Sequence, residues 1–246
     1  MIVKNNLLNF KNTYIYQDTE YFKMSLDSLL LVNFVTINLS DKNILDIATG
    51  NAPIPMLLTF RTKAKLYGVE LQKEVFDLGM ISIKENKMDE QITLINDDAK
   101  NLSNIFKSDF FDVITCNPPY FRTNNVIYEN DNNIKSLARH EKTLVLEDIF
   151  KMSKILLKSN GRLAIVHRTE RLIEILHLMK IYNIEPKKIR FVYPNRNKNS
   201  DLVLIEGTKN GRSGLKILPP LYVYDNVDVY SLEVSNMFGD DNNDTK

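Results

Sequence analysis

The sequence contains little of what stabilises disulfide-rich or metal-rich domains. Its 246 residues include one cysteine, Cys116, and three histidines, at positions 140, 167 and 177. One cysteine forms no internal disulfide and supplies no cysteine-only metal site. The histidines lack the spacing of zinc ligands. We therefore expect a protein of the reducing cytosol, without disulfides and without a bound metal.

Long apolar stretches and an excess of charge of one sign are also absent. No segment approaches the roughly 20 apolar residues of a membrane span, and the first ten residues lack the apolar core of a signal peptide. The 32 lysines and arginines balance 31 acids to a net charge of +1. We expect a cytoplasmic protein without a membrane partner, in which any binding of nucleic acid depends on a local basic patch.

Short apolar runs of strand length alternate along the chain with longer segments of helical spacing. This alternation is typical of an α/β fold in which helices flank a mostly parallel sheet. No helix is predicted between the last two strands, so we expect them to form an antiparallel hairpin near a sheet edge. The predicted strands are residues 42–49, 64–71, 92–96, 111–116, 161–167, 188–194 and 201–207. The predicted helices are residues 25–35, 54–60, 73–86, 144–157 and 169–183.

The domain organisation is predicted to be simple. The chain shows no internal repeat and no linker rich in proline, glycine or serine, and its 246 residues suit one larger α/β domain. We predict a single domain over residues 1–238, whose first 23 residues or so form a short extension. The polar residues 239–246 are predicted to be a disordered tail.

Glycine is scarce, with eight in the chain, so the position of Gly50 directly after the first predicted strand is informative. The segment DIATGNAPIP, residues 46–55, places an acid in that strand, a glycine in the turn and prolines at the start of a helix. Open α/β sheets bind ligands beyond the carboxyl ends of such strands, and glycine permits close approach of the backbone. A purely structural connection is the alternative interpretation.

Carboxylates also follow the next two predicted strands. Glu70 lies 24 residues after Asp46, where it can accept hydrogen bonds from both ribose hydroxyls. Asp97 and Asp98 can receive an adenine amino group, although Asp98 can equally cap the next helix. The dinucleotide-binding spacing G-x-G-x-x-G is absent, because alanine and proline occupy the later glycine positions. Carboxylates repel phosphate but match S-adenosylmethionine, which we predict as the cofactor.

The fourth predicted strand runs directly into Asn117-Pro118-Pro119-Tyr120. Each proline fixes its own backbone and restricts the residue before it, which holds Asn117 and Pro118 extended. The side-chain oxygen of Asn117 and the carbonyl of Pro118 can accept both hydrogens of a planar amino group. Tyr120 can stack on a base. A strand terminator without chemistry is the alternative.

This arrangement suits methyl transfer to the exocyclic nitrogen of adenine, whose lone pair is delocalised into the ring. Two fixed acceptors draw the hydrogens out of the plane and localise the lone pair toward the sulfonium methyl. The chemistry requires neither a metal nor a histidine base. The candidate catalytic residues are therefore Asn117, Pro118, Pro119 and Tyr120.

The sequence NPPY after FDVIT, together with DIATGNAPIP and YGVELQ, resembles the S-adenosylmethionine-dependent amino-methyltransferases. The segments MSLDSLLLVNFV, ARHE, VHRTERLIEIL and EGTKNGRSGLKILPPLYVY narrow the resemblance to the bacterial valine-tRNA (adenosine-37 N6) methyltransferases, over about residues 14–236. The tetrapeptide is shared with DNA adenine, ribosomal RNA and protein glutamine methyltransferases, so it indicates the reaction rather than the substrate. The resemblance implies a Rossmann-like class I methyltransferase with a seven-stranded, mostly parallel sheet and helices on both faces.

The resemblance also implies roles for individual residues. Asn117 to Tyr120 would bind the target amino group, and Gly50 with its neighbours would line the methionine end of the cofactor. Glu70 would hold the ribose and Asp98 the adenine, and Ala52 stands where the family usually has a second glycine. The candidate cofactor-binding residues are Gln17, Asp27, Asp46, Ala48, Gly50, Asn51, Glu70, Leu71, Asp97, Asp98, Ala99 and Asn117.

Basic residues concentrate between residues 180 and 216, where nine lysines and arginines accompany three acids. Such a patch supplies phosphate contacts, and a solvated hairpin face is the alternative. Residues 122, 139 and 140 flank the proposed pocket and can touch the unstacked bases of an anticodon loop, or form salt bridges with nearby glutamates. The candidate RNA-binding residues are Arg122, Arg139, His140, Lys187, Lys188, Arg190, Arg196, Lys198, Lys209, Arg212 and Lys216.

The favoured hypothesis is N6 methylation of adenosine in tRNA, at position 37 next to the anticodon, with the anticodon stem-loop as partner. Methylation of another RNA or DNA adenine, or of a protein glutamine amide, is the alternative. A protein that binds RNA without catalysis is a third possibility, which the intact NPPY sequence disfavours. The sequence leaves the oligomeric state open, and a monomer is expected.

Overall fold

One sheet forms the centre of the protein. The computed structural model describes residues 1–10, 12–18, 25–118 and 144–239. Every predicted strand is present in this sheet, with ends shifted by a few residues. Its strands within the described residues are β3 (Asn43–Ile47), β4 (Lys65–Glu70), β5 (Ile92–Asn96), β6 (Phe111–Cys116), β7 (Leu157–Arg168), β8 (Ile184–Tyr193), β9 (Leu202–Lys209), β10 (Lys216–Ile217) and β11 (Leu221–Tyr222).

The strand order brings the functional segments together. β3 lies between β4 and β6, and both pairs are parallel. β7 is parallel to β6, whereas β9 is antiparallel to both β7 and β8, which confirms the predicted C-terminal hairpin. β8 therefore runs in the same direction as β7. Strands β3 to β8 all end at one edge of the sheet, which we call the carboxyl edge, and the opposite edge is the amino edge.

Helices cover both faces of the sheet, as predicted. Alternate residues of β6 show this directly. Val113 packs with the helices Leu26–Phe34 and Pro53–Leu58, whereas Ile114 packs with the helices Leu146–Leu156 and Leu172–Ile181. A strand buried on both faces is apolar at most positions, which explains the nearly continuous apolar runs in the sequence. No helix of the described residues is long and apolar enough to cross a membrane. Within the described part of the chain, the helices are α1 (Leu26–Phe34), α2 (Pro53–Leu58), α3 (Lys73–Glu85), α4 (Leu102–Ile105), α5 (Leu146–Leu156), α6 (Leu172–Ile181) and α7 (Leu232–Ser235).

The N-terminal hairpin and the outer strands of the sheet are among the elements that the apolar pattern did not predict. β1 (Ile2–Asn6) and β2 (Tyr14–Asp18) form an antiparallel hairpin that docks on α3, where the Tyr16 N–H donates to Ser82 Oγ at 2.9 Å. β10 and β11 extend the predicted seven strands to nine along the outer side of β8. Each has two residues, too few for a period-two pattern to be visible in the sequence.

Candidate active site

The turn between β3 and α2 has a left-handed backbone at alternate residues. Ala48, Gly50 and Ala52 have φ angles of 56°, 61° and 69°. This conformation costs an alanine about 1 kcal/mol or more, whereas glycine adopts it freely. A Cβ atom on Gly50 would meet no atom within 4 Å, so the turn borders open space at that residue. The alternation of small residues at 48, 50 and 52 was visible in the sequence, but the shared conformation was not recognised from it.

Glu70, at the end of β4, holds this turn in place. Its carboxylate accepts hydrogen bonds from the Gly50 N–H and the Gln72 N–H, both at 2.9 Å, and the residue is 4% exposed. Burial raises the pKa of the Glu70 carboxyl, and the backbone donors partly oppose that shift. A carboxylate has about four acceptor sites, and the Leu71 N–H also interacts with this one, so at least one site remains for a hydroxyl group of a ligand.

Asp46 lies inside β3 and is 1% exposed. Its Oδ1 accepts a hydrogen bond from Thr115 Oγ at 2.6 Å, because the β3–β6 register places the two residues side by side. Burial raises the pKa of the Asp46 carboxyl to about 7, against the lowering effect of the Thr115 and Thr49 hydroxyls. Neither Asp46 Oδ2 nor Thr49 Oγ has a partner that meets hydrogen-bond geometry among the described residues.

The N-terminal hairpin brings an unsatisfied donor to the same region. Gln17, in β2, accepts from Asn5 Nδ2 at 2.9 Å, but its own Nε2 is buried without a partner among the described residues. Asn51, in the turn after β3, donates to the Tyr16 carbonyl at 2.8 Å and so joins β2 to that turn. Buried polar groups rarely stay unpaired, so an unpaired carboxylate oxygen and an unpaired amide donor suit a zwitterionic ligand. The amino-acid end of S-adenosylmethionine fits these groups.

The two aspartates after β5 organise the backbone at the carboxyl edge. Asp97 accepts from the Asp98 N–H at 2.7 Å and from Asn101 Nδ2 at 2.8 Å. Asp98 accepts from the Lys100 N–H at 2.9 Å and caps the short 3-10 helix Ala99–Asn101. The capping role foreseen as an alternative is therefore present. Contact of these aspartates with adenine stays a prediction, as it does for Leu71, the exposed residue that follows β4.

Asn117 follows β6 at the carboxyl edge and points its amide nitrogen at α1. Its Nδ2 donates to Ser28 Oγ at 3.2 Å and to Ser25 Oγ at 3.4 Å. With the nitrogen held by the serines, Oδ1 is the end of the amide that is presented as an acceptor. Asp27 lies in the same first turn of α1. Neither Ser25 nor Ser28 is identified by the sequence alone, because a serine in or beside an apolar helix gives no specific signal.

Of the remaining catalytic candidates, one lies within the described residues and two lie outside them. Pro118 is buried at the end of β6. Pro119 and Tyr120 lie outside the described residues, as do three RNA-binding candidates, Arg122, Arg139 and His140. The described residues contain no group of three histidine, cysteine or acidic side chains arranged to hold a metal ion.

Three of the predicted RNA-binding residues are engaged in ion pairs. Two of the acids that pair with them, Asp109 and Glu233, lie outside the basic stretch of residues 180–216. A charge count within that stretch therefore overestimated its free positive charge. The Lys187 ammonium is also engaged, because it donates to the Arg212 carbonyl. The pairs are Lys188–Glu206 at 3.2 Å, Arg190–Glu233 at 2.6 Å and Lys209–Asp109 at 2.8 Å.

Comparison with known proteins shows the family to which the chain belongs. The family model described as "Methyltransferase domain" matches residues 38–195, which run from before β3 to the turn after β8. The chain belongs to that family. Its relatives include the tRNA1(Val) (adenine(37)-N6)-methyltransferase of Flavobacterium psychrophilum, 22% identical over 86% of this chain and 91% of that protein. The protein of the same name from Aliivibrio salmonicida is 24% identical over 89% of this chain and 87% of its own length.

Solved structures show the same fold. A predicted O-methyltransferase of Agrobacterium tumefaciens superimposes with a TM-score of 0.70 at 17% identity, covering 86% of this chain and 95% of that one. The predicted class I methyltransferase fold, methyltransferase activity and family resemblance are thus confirmed. S-adenosylmethionine is the methyl donor that the residues around Gly50 and Asp46 fit.

The raised pKa of Asp46 generates a prediction about the protein without ligand. A carboxyl whose pKa is higher in the folded than in the unfolded state stabilises the fold at low pH, and this contribution is lost as the pH rises toward the folded pKa. The free energy of unfolding of the wild type, minus that of Asp46→Asn, is therefore expected to fall by roughly 1 kcal/mol or more between about pH 4.5 and pH 7. Urea unfolding at a series of pH values measures it.

Asp225→Asn provides the control, because Asp225 is exposed. Its difference from the wild type should stay flat over the same pH range. A flat Asp46→Asn difference would show that Asp46 ionises normally in the folded protein.

Proposed function

We propose that this protein transfers the methyl group of S-adenosylmethionine to N6 of adenosine in tRNA, at position 37 next to the anticodon. The observation that carries the proposal is the position of Asn117, with its amide fixed by Ser28, one strand away from the turn at Gly50. Relatives that cover more than four fifths of this chain are named for that reaction. Because tRNA is modified where it is used, we infer that the enzyme works in the cytoplasm.

The donor would be held by the carboxylates of β3 and β4. Glu70 retains at least one acceptor site for the ribose hydroxyls, and Asp46 and Gln17 supply opposite polar groups for the amino-acid end. Once bound, S-adenosylmethionine supplies an electrophilic methyl group on a sulfonium. Ionised Asp46 would offset the positive charge of the ligand, which lowers its own raised pKa in the complex.

The acceptor amine would be held by the end of β6. Asn117 Oδ1 and the Pro118 carbonyl accept the two N6 hydrogens, so the nitrogen is oriented and its lone pair is turned out of the ring plane. The nitrogen forms a bond to the methyl carbon while the carbon–sulfur bond breaks, and the extra proton leaves to water. Position 37 lies in a loop, so its base is presented at lower cost than one extracted from a duplex.

A direct assay tests this proposal. Purified protein is mixed with labelled S-adenosylmethionine and tRNA made without modifications, and the nucleosides are identified by mass spectrometry. We expect N6-methyladenosine at position 37. Label transferred to a glutamine-containing peptide but not to tRNA would overturn the proposal in favour of a protein substrate.

Asn117→Ala is expected to lower kcat by roughly 10²–10³-fold, because the substitution removes an acceptor that acts on the reacting nitrogen. The dissociation constant for S-adenosylmethionine, measured by calorimetry, should stay within about twofold of the wild type. Asn104→Ala is the control, since Asn104 is exposed on α4. Turnover that survives in Asn117→Ala would refute the role given to this residue.

Ser28→Ala is expected to lower kcat about tenfold, because loss of one orienting hydrogen bond costs about 1–1.5 kcal/mol. Binding of S-adenosylmethionine and the KM for tRNA should change little. Ser153→Ala is a matched control, since Ser153 is also a buried helix serine but its hydroxyl has no partner among the described residues. In an Asn117→Ala background the Ser28 substitution should have no further effect on kcat. Additive effects would show that Ser28 does not act through Asn117.

A further inference from the structure

The sheet topology divides the predicted RNA-binding residues between its two edges. β8 runs toward the carboxyl edge, and Tyr193 at its end continues into the turn of residues 194–201. Arg196 and Lys198 lie in this turn. Lys209 pairs with Ile184 at the start of β8, so it lies at the amino edge. At about 3.3 Å per residue, the two ends of β8 are separated by roughly 30 Å.

The turn at the carboxyl edge lies beside two aromatic side chains whose rings are tilted against each other. β11 runs alongside the end of β8, which places Tyr222 beside Tyr193 with ring centroids 5.5 Å apart. The Arg196 guanidinium lies 4.7 Å from the centroid of the Tyr222 ring. Arg196 itself is exposed, and the two tyrosines are half-buried. An arginine plane supported by an aromatic ring is a surface on which unstacked bases stack.

The charge of this turn is free, in contrast to that of the neighbouring strands. Arg196 and Lys198 have no carboxylate within 4.0 Å among the described residues, whereas Lys188, Arg190 and Lys209 are paired. The turn contains one acid, Asp201 at its end, and no ion pair joins it to either cation. Exposed cations without an ion-pair partner beside an aromatic ring match the phosphate and base of a single strand.

The turn lies close enough to the candidate active site for one RNA molecule to contact both. β9, β7 and β6 follow β8 in order across the sheet, and Asn117 stands at the end of β6. Three strand spacings amount to about 14 Å, a length that a few nucleotides span. The turn and Asn117 also lie at the same edge, so one loop of RNA can reach both.

We infer that Arg196, Lys198 and Tyr222 form a docking site for single-stranded nucleotides that flank the methylated base in the anticodon loop. The identification of this RNA as the anticodon loop of a tRNA rests on the proposed function. Arg196 over Tyr222 provides the stacking surface, and the two cations contact phosphates.

Binding of a fluorescent anticodon stem-loop to the full chain tests this inference. Arg196→Ala/Lys198→Ala is expected to raise the dissociation constant about tenfold or more and to reduce the salt slope, log K against log [salt], by about 1 to 1.5. The KM for tRNA should rise in parallel, with kcat at saturating tRNA unchanged. Tyr222→Leu should weaken binding, whereas Tyr222→Phe, which keeps the ring, should not.

Lys63→Ala/Lys180→Ala is the matched control, because both lysines are exposed, precede strands at the amino edge and carry the same total charge. It should bind RNA within about twofold of the wild type. Equal binding by the Arg196/Lys198 variant and this control would overturn the inference. So would a loss of binding in Arg212→Ala/Lys216→Ala that the Arg196/Lys198 variant does not show.

Separate measurements of RNA binding and of methyl transfer distinguish a failure of this inference from a failure of the proposed function. If the wild type methylates tRNA but the Arg196/Lys198 variant binds and reacts normally, the docking site is wrong and the function stands. If the wild type binds the stem-loop through Arg196 and Tyr222 but transfers no methyl group to tRNA, the docking site stands and the proposed reaction is wrong.

Discussion

The parallel pairing of β3 with β6 is the constraint on which the rest of the site depends. It places Asp46 beside Thr115 and Ile47 beside Cys116. The segments that follow these two strands, which contain Gly50 and Asn117, therefore begin next to each other. Backbone hydrogen bonds across this pair fix the separation far more firmly than two loops could. Methyl transfer requires donor and acceptor in line, and under the proposed function this pairing would set that alignment before any ligand binds.

This arrangement has an energetic cost, because it buries two carboxylates. Asp46 and Glu70 both have raised pKa values because burial disfavours their charged forms, and the charge of Glu70 adds to the shift at Asp46. Hydrogen bonds from Gly50, Gln72 and Thr115 offset part of that cost. A cationic ligand offsets more, which gives the site a physical reason to prefer a sulfonium amino acid over a phosphate-bearing cofactor.

The charge that this protein exposes at its surface depends on which residues the fold brings together, and the clustering of basic residues in the sequence does not predict it. The basic stretch of residues 180–216 crosses the sheet from edge to edge. Acids from distant segments neutralise part of it, as Glu233 does for Arg190 with a bidentate pair. Among the described residues of that stretch, Arg196 and Lys198 form no ion pair, and the Arg196 guanidinium lies over the Tyr222 ring. Clusters of charge in a sequence therefore overstate the surface available to a nucleic acid.

The sequence by itself determined the sheet, its flanking helices, the turn at Gly50 and the end of β6 before Asn117, because apolar periodicity and the fixed backbone of proline act over neighbouring residues. It did not determine the N-terminal hairpin, whose Gln17 reaches the turn through the contact between Tyr16 and Asn51. Nor did it show that Ser28 orients Asn117, or that Lys188 is paired with Glu206. Such contacts join residues far apart in the chain, and only the packing of the strands and helices brings them together.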